Sequence, residues 1–511
     1  MSSRNKRPTS ADETVFVFDE DDDDEEDFHH NNDHPRSSVH SAKEADEVPL
    51  LAADGSPAVK SQVSTPALIL ATEENGMQED TSAEEVANNV HLFDSNWVKL
   101  PKDGGTILES FFNMSNSIIG AGIIGMPFAF SEAGFFMGII LLLLVTWVGD
   151  WTVRLLVFNG KLAGATTYQA LLERCFGHAG LVAISIFQFA FAFGGMCAYC
   201  VIMGDTIPHV IVSLFPNIRT IPVLSLFASR RFVITFITIL VSYPLSLYRD
   251  ISKLAKASAL ALLAITVIVI TVLIEGPRTP TELRGSGKGQ WDFMHSQVFQ
   301  AIGIMSFAFV CHHNIFLIYS SLKKPSLNRF GMVTHLSMLI SFFACFTLAA
   351  SGYLAFTEKT AANVLNNFPS DNFLINIARF CFGLNMFTTL PLEAMVCREV
   401  IENYFFNGGP LSTTRHVAIT TVLVLLPLII SLATCNLGLV LELTGGFSAT
   451  ALCFILPPLC YLKLASGKWW SPKKLPSVAC VLFGIVVMIL STGLSVHKAI
   501  SGKSEVRECP P

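Results

Sequence analysis

The stretch FFNMSNSIIGAGIIGMPFAF, Phe111–Phe130, decides the reading of this chain. It is long and apolar enough to cross a membrane, yet its centre is a glycine cluster, Gly120, Gly122 and Gly125, with Pro127 close behind. Glycine weakens a helix and proline removes a backbone donor, so the helix is expected to open halfway across. In lipid, an opened backbone survives only where protein or a cavity takes up its polar groups. The opening is therefore expected to be a binding site, and the rest of the chain its scaffold.

Composition places the scaffold in a bilayer. Of 511 residues, 51% are hydrophobic and mean hydropathy is +0.50, too apolar for a soluble globular protein. Charge is split unevenly. Residues 1–100 carry 23 Asp and Glu against 7 Lys and Arg, leaving 18 acidic and 27 basic residues in the remainder. The net charge of −7 averages an acidic tail and a mildly basic membrane body. The expected organisation is a disordered cytosolic tail over 1–100, a transmembrane domain over 101–500 and a short non-cytosolic end over 501–511. The polar, acidic start is not expected to act as a cleavable signal peptide. Within the tail, Asp46-Glu47-Val48-Pro49-Leu50-Leu51 fits the acidic dileucine pattern. Asp46, Leu50 and Leu51 are thus candidate contacts for a sorting adaptor that directs proteins to lysosomes and vacuoles.

Apolar segments of about 20 residues, the length that crosses a 30 Å hydrocarbon core, recur from Leu108 onward. Eleven spans are expected, at about 107–130, 135–158, 181–205, 231–248, 255–275, 293–319, 331–356, 372–397, 415–434, 436–462 and 476–497. Asn436-Leu437-Gly438 is expected to supply a very tight turn between the last two long spans before the final one. With the tail in the cytosol, the loops on that side carry 17 Lys and Arg against 10 on the other. This bias favours a cytosolic N-terminus.

The sixth span, Phe299–Leu322, carries Cys311-His312-His313-Asn314 in its middle. Adjacent histidines in a span are costly unless they face protein or water. The first and sixth spans are thus interrupted at equivalent depths. A five-span offset turns one half upside down relative to the other, which is the signature of a five-plus-five inverted-repeat transporter with its site between the breaks. The expected fold is an all-α membrane protein with eleven transmembrane helices, helices 1 and 6 broken, and one extra C-terminal helix.

Several blocks carry a resemblance. They are NSIIGAGIIG (Asn116–Gly125), YPLSLYRDISKLAKAS (Tyr243–Ser258), MSFAFVCHHN (Met305–Asn314), IARFCFGLNMFTTLPLEAMVCREV (Ile377–Val400) and LGLVLELTG (Leu437–Gly445). In order along residues 100–500, the chain resembles the amino acid/auxin permease family, and within it the fungal vacuolar and animal sodium-coupled neutral amino acid transporters. The resemblance implies eleven helices, broken helices 1 and 6, and secondary transport of amino acids driven by sodium or protons.

An amino acid brings a carboxylate and an ammonium. Amides at Ala121, Gly122, Ile123 and Ile124 are expected to hold the carboxylate at a helix N-terminus. Carbonyls from Ser117, Ile118, Ile119 and Gly120 are expected to accept from the ammonium. A second break is expected near Ser306–Phe309, with Ser306, Phe307 and Phe309 walling the side-chain pocket. The alternative for each phenylalanine is an ordinary lipid-facing or core position. The resemblance implies a cation between helix 1 carbonyls and helix 8 hydroxyls, here Asn116, Thr388 and Thr389; the alternative is that both threonines bond their own helix. Candidates for proton coupling are His312 and His313, with imidazole pKa near ~6.5, and Glu442. Glu442 is also placed to pair with Arg379. Asp205 and Glu393 are expected to be solvated or paired at the interface, and Arg249-Asp250 to be a surface cluster.

No enzyme is expected. There is no phosphate loop, nucleophile elbow or zinc signature, and no strand precedes the glycine pattern of the first span. Cys197 and Cys200 form a CxxC without further ligands at suitable spacing, and are expected to be buried structural thiols. The sequon Asn113-Met114-Ser115 falls inside the first span and is not expected to be glycosylated. No cofactor is expected beyond a sodium ion or proton as coupling ion, and no nucleic acid partner. The partners are an amino acid substrate and the lipid bilayer. The rival functions are an amino-acid sensor signalling through the tail and, less favoured for want of a pore motif, an ion channel.

Overall fold

The computed structural model describes residues 105–248, 258–406 and 412–501. The acidic tail, the dileucine hexad with Asp46, Leu50 and Leu51, the Arg249-Asp250 pair and the chain after residue 501 lie outside the described residues. Among the described residues there are helices and no strands. Ten helices are long and apolar enough to cross a membrane. An eleventh helical segment, α4, runs over 230–246 where the fourth span is expected, with a π-helical stretch in its middle.

The first span is two helices, α1a (Ile107–Ile119) and α1b (Met126–Ala133). Thr106 and Glu109 start α1a as a capping box: Glu109 N–H donates to Thr106 Oγ1 at 3.2 Å, and Thr106 N–H to Glu109 Oε2 at 2.8 Å. Next come α2 (Phe135–Ala163), α3 (Tyr168–Leu214) and, after α4, α5 (Ser258–Glu275). The sixth span is again split, into α6a (Val298–Phe309) and α6b (Ile315–Ser321). The rest are α7 (Leu327–Phe356), α8 (Phe373–Phe405), α9 (Thr413–Ala433), α10 (Leu437–Leu464) and α11 (Leu475–Ile500).

Two boundaries differ from expectation in a way that matters below. Helix α3 bends at Gly177 and continues to Leu214, and α8 continues to Phe405. Both overrun the bilayer-length window expected for them. The turn before α10 is also earlier than expected. It is Thr434–Asn436, and Leu437 and Gly438 are already helical because the Asn436 side chain caps Leu439 N–H at 3.0 Å.

Helices α6, α10 and α1 form the centre. In their most apolar stretch 83%, 78% and 72% of residues are buried, against 28% for α5 and 33% for α11. The outer helices instead expose large apolar side chains such as Leu260, Leu263, Ile270, Leu482 and Ile489, as a lipid-facing surface requires. The broken helices thus sit where lipid does not reach.

Candidate functional site

Gly120 makes the break in α1. Its φ of 23° and ψ of −141° lie where a side chain is strained. A short 3₁₀ stretch, Ala121–Gly125, turns the chain into α1b, which Pro127 opens. This stretch packs on α6a. A Cβ placed on Gly122 would lie 2.5 Å from the Ala308 Cα and Cβ. Only glycine allows the two backbones to approach this closely.

The α6 break is one turn later than expected. Ser306–Phe309 are the last turn of α6a, and the helix stops at Val310, whose φ of −80° and ψ of 107° are extended. Cys311 follows, then a 3₁₀ turn over His312–Asn314. Nothing in the apolar run before Val310 marks its end. The carbonyls of Phe307, Ala308 and Phe309 have no helical donor four residues on, so they remain acceptors beside the α1 break.

Of the expected substrate residues, Ile118, Ile119, Ala121, Gly122, Ile123 and Ile124 are buried, and Ser117 and Gly120 are half-buried. Ser306 is buried, with its hydroxyl unpartnered. Phe307 and Phe309 are buried as well, so neither faces lipid. They differ in position. The Phe307 ring meets Phe191 of α3 at 5.5 Å between centroids, and Phe191 in turn meets the His313 ring at 5.0 Å. Both belong to the hydrophobic core, but Phe309 has no aromatic neighbour of this kind among the described residues.

A polar chain ties the breaks together and reaches two further helices. Asn314 Nδ2 donates to Ser117 Oγ of α1a at 3.4 Å and lies 2.9 Å from His313 Nε2. His313 Nε2 is 4.0 Å from Glu393 Oε1 of α8, and Tyr199 of α3 donates its hydroxyl to the same oxygen at 3.5 Å. Glu393 is therefore buried at the centre, and not at the interface as expected; α8 runs three turns beyond it. Its Oε2 has no partner, nor does His313 Nδ1. His312 turns away. Its Nε2 lies 3.0 Å from Thr152 Oγ1 of α2, and that hydroxyl also donates to Val148 O at 2.9 Å.

Phe191, Tyr199 and Glu393 join the site without having been expected there. A lone Phe or Tyr in an apolar span carries no signal. The acidic residue in the eighth span did carry one, misread because the helix was taken to end nearby.

The expected cation residues are not joined. Thr388 and Thr389 donate to carbonyls of their own helix, Leu384 and Asn385, at 2.7–3.2 Å. Their oxygen lone pairs remain available. Among the described residues, no hydrogen bond joins either threonine to Asn116, whose carbonyl accepts from Gly120 N–H at 3.1 Å. Cys197 and Cys200 are buried free thiols.

Beyond the α1 break, a vestibule of ≈ 750 Å³ opens between the ends of α1b and α11 and the start of α10. Two charge clusters line it. In the first, Lys498 of α11 bridges Glu132 of α1b at 3.2 Å and Glu442 of α10 at 3.3 Å, and Ser495 donates to Glu442 at 2.9 Å. Glu442 does not pair with Arg379, contrary to expectation. Arg379 is fully buried and donates instead to the carbonyls of Leu365, Phe368 and Pro369 and to Asn376 Oδ1, at 2.8–3.2 Å. The cation that Glu442 needs comes from a helix 56 residues later. In the second cluster, Asp205 accepts from Arg230 of α4 at 3.3 Å and from Asn366 at 3.2 Å. Asp205 is paired, as one of its two expected states, but buried because α3 continues beyond it.

At the opposite end the two broken helices meet. Gly105, just before α1a, donates its N–H to Ser321 O at 2.7 Å and accepts from Lys323 N–H at 2.8 Å. The two broken helices are thus joined by main-chain bonds at this end, and at the vestibule end too, where His295, just before α6a, donates its N–H to Ala133 O at 2.8 Å.

Residues 103–497 match the family model described as transmembrane amino acid transporter protein. The chain belongs to that family. It is 40% identical over 414 residues to vacuolar amino acid transporter 2 of Saccharomyces cerevisiae, covering 78% of this chain and 85% of that protein. It is 40% identical over 389 residues to putative sodium-coupled neutral amino acid transporter 11 of Danio rerio, covering 75% and 85%. The Homo sapiens protein of the same name is 38% identical over 362 residues, covering 70% and 87%. The family is one of multi-pass membrane transporters and not of enzymes, in agreement with the resemblance carried by the five sequence blocks.

Proposed function

We propose that this protein is a secondary active amino acid transporter of the vacuolar or lysosomal membrane, working by alternating access with its N-terminus in the cytosol. The observation that carries this reading is the placement of two helix breaks in the enclosed centre, with a vestibule opening beyond the α1 break. An amino acid between the breaks would offer its carboxylate to the amides of Ala121–Ile124. Its ammonium would meet the carbonyls of Ser117–Gly120 and of Phe307–Phe309. Recognition of both groups by backbone leaves side-chain choice to the wall formed by Phe307 and Phe191. The names of the relatives support amino acids as substrate class and a vacuolar membrane for one of them.

Coupling is to protons or sodium. Asn116, Thr388 and Thr389 are the candidate sodium ligands, and His312, His313 and Glu442 the candidate proton groups. Uptake of labelled amino acids into proteoliposomes, measured across pH with and without sodium, tests the proposal. Accumulation driven by one of the two gradients is the expected result, and sodium independence would remove the threonines from the cation role. Binding without net uptake under any ion gradient would overturn the transporter in favour of a sensor.

A further inference from the structure

We propose that Glu393 and His313 together hold one exchangeable proton, and that its arrival on His313 Nε2 turns the Asn314 amide and so resets the contact between α6 and α1. This deepens the transporter reading and rests on it.

The argument begins with charge. Glu393 and His313 are enclosed, with side chains 11% and 3% exposed. Among the described residues, His313 Nε2 is the only basic nitrogen within 4.0 Å of Glu393. The other groups facing the pair are His312, next to His313 in the chain, Tyr199 from α3, Cys397 from α8 and, through Asn314, Ser117 from α1a. None of them carries a fixed positive charge. The neighbouring Arg398 is turned away, to Ser246 O and Thr420 Oγ1. A carboxylate beside a neutral imidazole leaves one uncompensated negative charge among apolar helices, a costly state. One proton, on either member, makes the pair neutral. An enclosed site carrying a neutral zwitterion closes most cheaply with that proton present.

The second step is geometric. The bond of 2.9 Å between Asn314 Nδ2 and His313 Nε2 requires a lone pair on that nitrogen. The nitrogen is also the atom nearest Glu393. A proton arriving there from the aqueous side turns it into a donor toward the carboxylate. It then repels the amide hydrogen of Asn314. The amide must rotate, and the same amide nitrogen makes the contact of 3.4 Å with Ser117 Oγ. Protonation on one atom therefore reverses the contact between α6 and α1a: Asn314 Oδ1 now faces His313 and accepts from the Ser117 hydroxyl. Loss of the proton to the opposite aqueous side restores the original bond. The unpartnered Glu393 Oε2 and His313 Nδ1 leave space in hydrogen bonding for the exchange.

The test uses the full chain in proteoliposomes with a mixture of ¹⁴C-labelled amino acids and an internal pH dye. Two pH units across the membrane, at one proton per substrate, support accumulation of up to about 100-fold. The wild type is expected to accumulate label and carry protons with it. Glu393→Gln, which mimics the neutral state permanently, is expected to lose accumulation more than tenfold while counterflow exchange persists. His313→Gln keeps an acceptor for Asn314 but binds no proton, and is expected to give the same signature, so the test stands even if E393Q does not fold. Glu393→Asp is expected to restore proton-driven accumulation. Proton-driven accumulation by folded E393Q or H313Q at the wild-type level would overturn the inference. So would loss of exchange together with accumulation in both folded variants, which would make the pair structural. Sodium-driven uptake by the wild type without proton movement would overturn the inference and leave the transporter reading intact. Absence of wild-type uptake under every gradient would sink that reading instead.

Discussion

Gly122 of α1 lies directly against Ala308 of α6, so close that a methyl group on the glycine would come within 2.5 Å of the Ala308 Cα and Cβ. The glycine is thus a packing residue as well as a neighbour of the candidate carboxylate site. Gly122→Val is not a clean probe of substrate binding, because it must push two broken helices apart. Gly122→Ala is expected to cost about 1–3 kcal/mol, the usual penalty of overpacking, and to lower uptake. Ala308→Gly in the same chain is expected to recover part of the loss, since it removes one of the two clashing atoms. Thermal unfolding in detergent and uptake by the single and double variants check this.

Asp205 and Arg230 form a buried pair that joins α3 to α4. Removing one partner strands the other charge. Asp205→Leu and Arg230→Met are each expected to destabilise the protein by about 3–5 kcal/mol. Asp205→Leu combined with Arg230→Met is expected to cost less than either single change. A double-mutant cycle on unfolding midpoints measures the difference, and additive losses would refute the coupling.

Lys498 bridges two carboxylates on two different helices at the vestibule. Lys498→Met leaves Glu132 and Glu442 facing each other, which pushes α1b from α10. Uptake is expected to fall about tenfold, equivalent to ~1.4 kcal/mol between two states. The deficit is expected to shrink as pH on the vestibule side falls, because protonation of either carboxylate relieves the repulsion. Lys498→Arg is expected to behave close to wild type. Uptake measured against external pH for the three proteins decides it.

Arg379 holds a loop by its carbonyls. Four acceptors converge on one buried guanidinium, and three of them are backbone oxygens between Leu365 and Pro369. Arg379→Lys keeps the charge but not the planar fork. Each buried acceptor left unpaired costs about 1–3 kcal/mol. Protease cleavage within the Leu365–Pro369 segment is expected to accelerate in R379K, and unchanged cleavage would refute the role.

The apolar spans and the opened first helix were legible because they follow from hydropathy and from glycine at one strained φ. The site around them was only half legible. The end of α6a at Val310 leaves no mark in an apolar run, so the second break was misplaced by a turn. Glu393 and Asp205 were taken as interfacial because a window of membrane thickness cannot report that α8 and α3 continue beyond it. The partner of Glu442 was sought on the eighth span, at matching depth, and found on the eleventh. Depth along a helix can be counted from sequence, whereas the face it turns and the neighbour it meets are tertiary facts.

The link between Gly105 and the end of α6b consists of main-chain atoms alone. Side-chain scanning at position 323 is therefore blind to it, because alanine there keeps both bonds. At position 105 an added Cβ would press on Glu109 Oε2, the oxygen that accepts from Thr106 N–H. A link of this kind tolerates drift in residue identity on the α6b side while remaining intolerant of a single residue inserted or removed, since its register is what is being preserved.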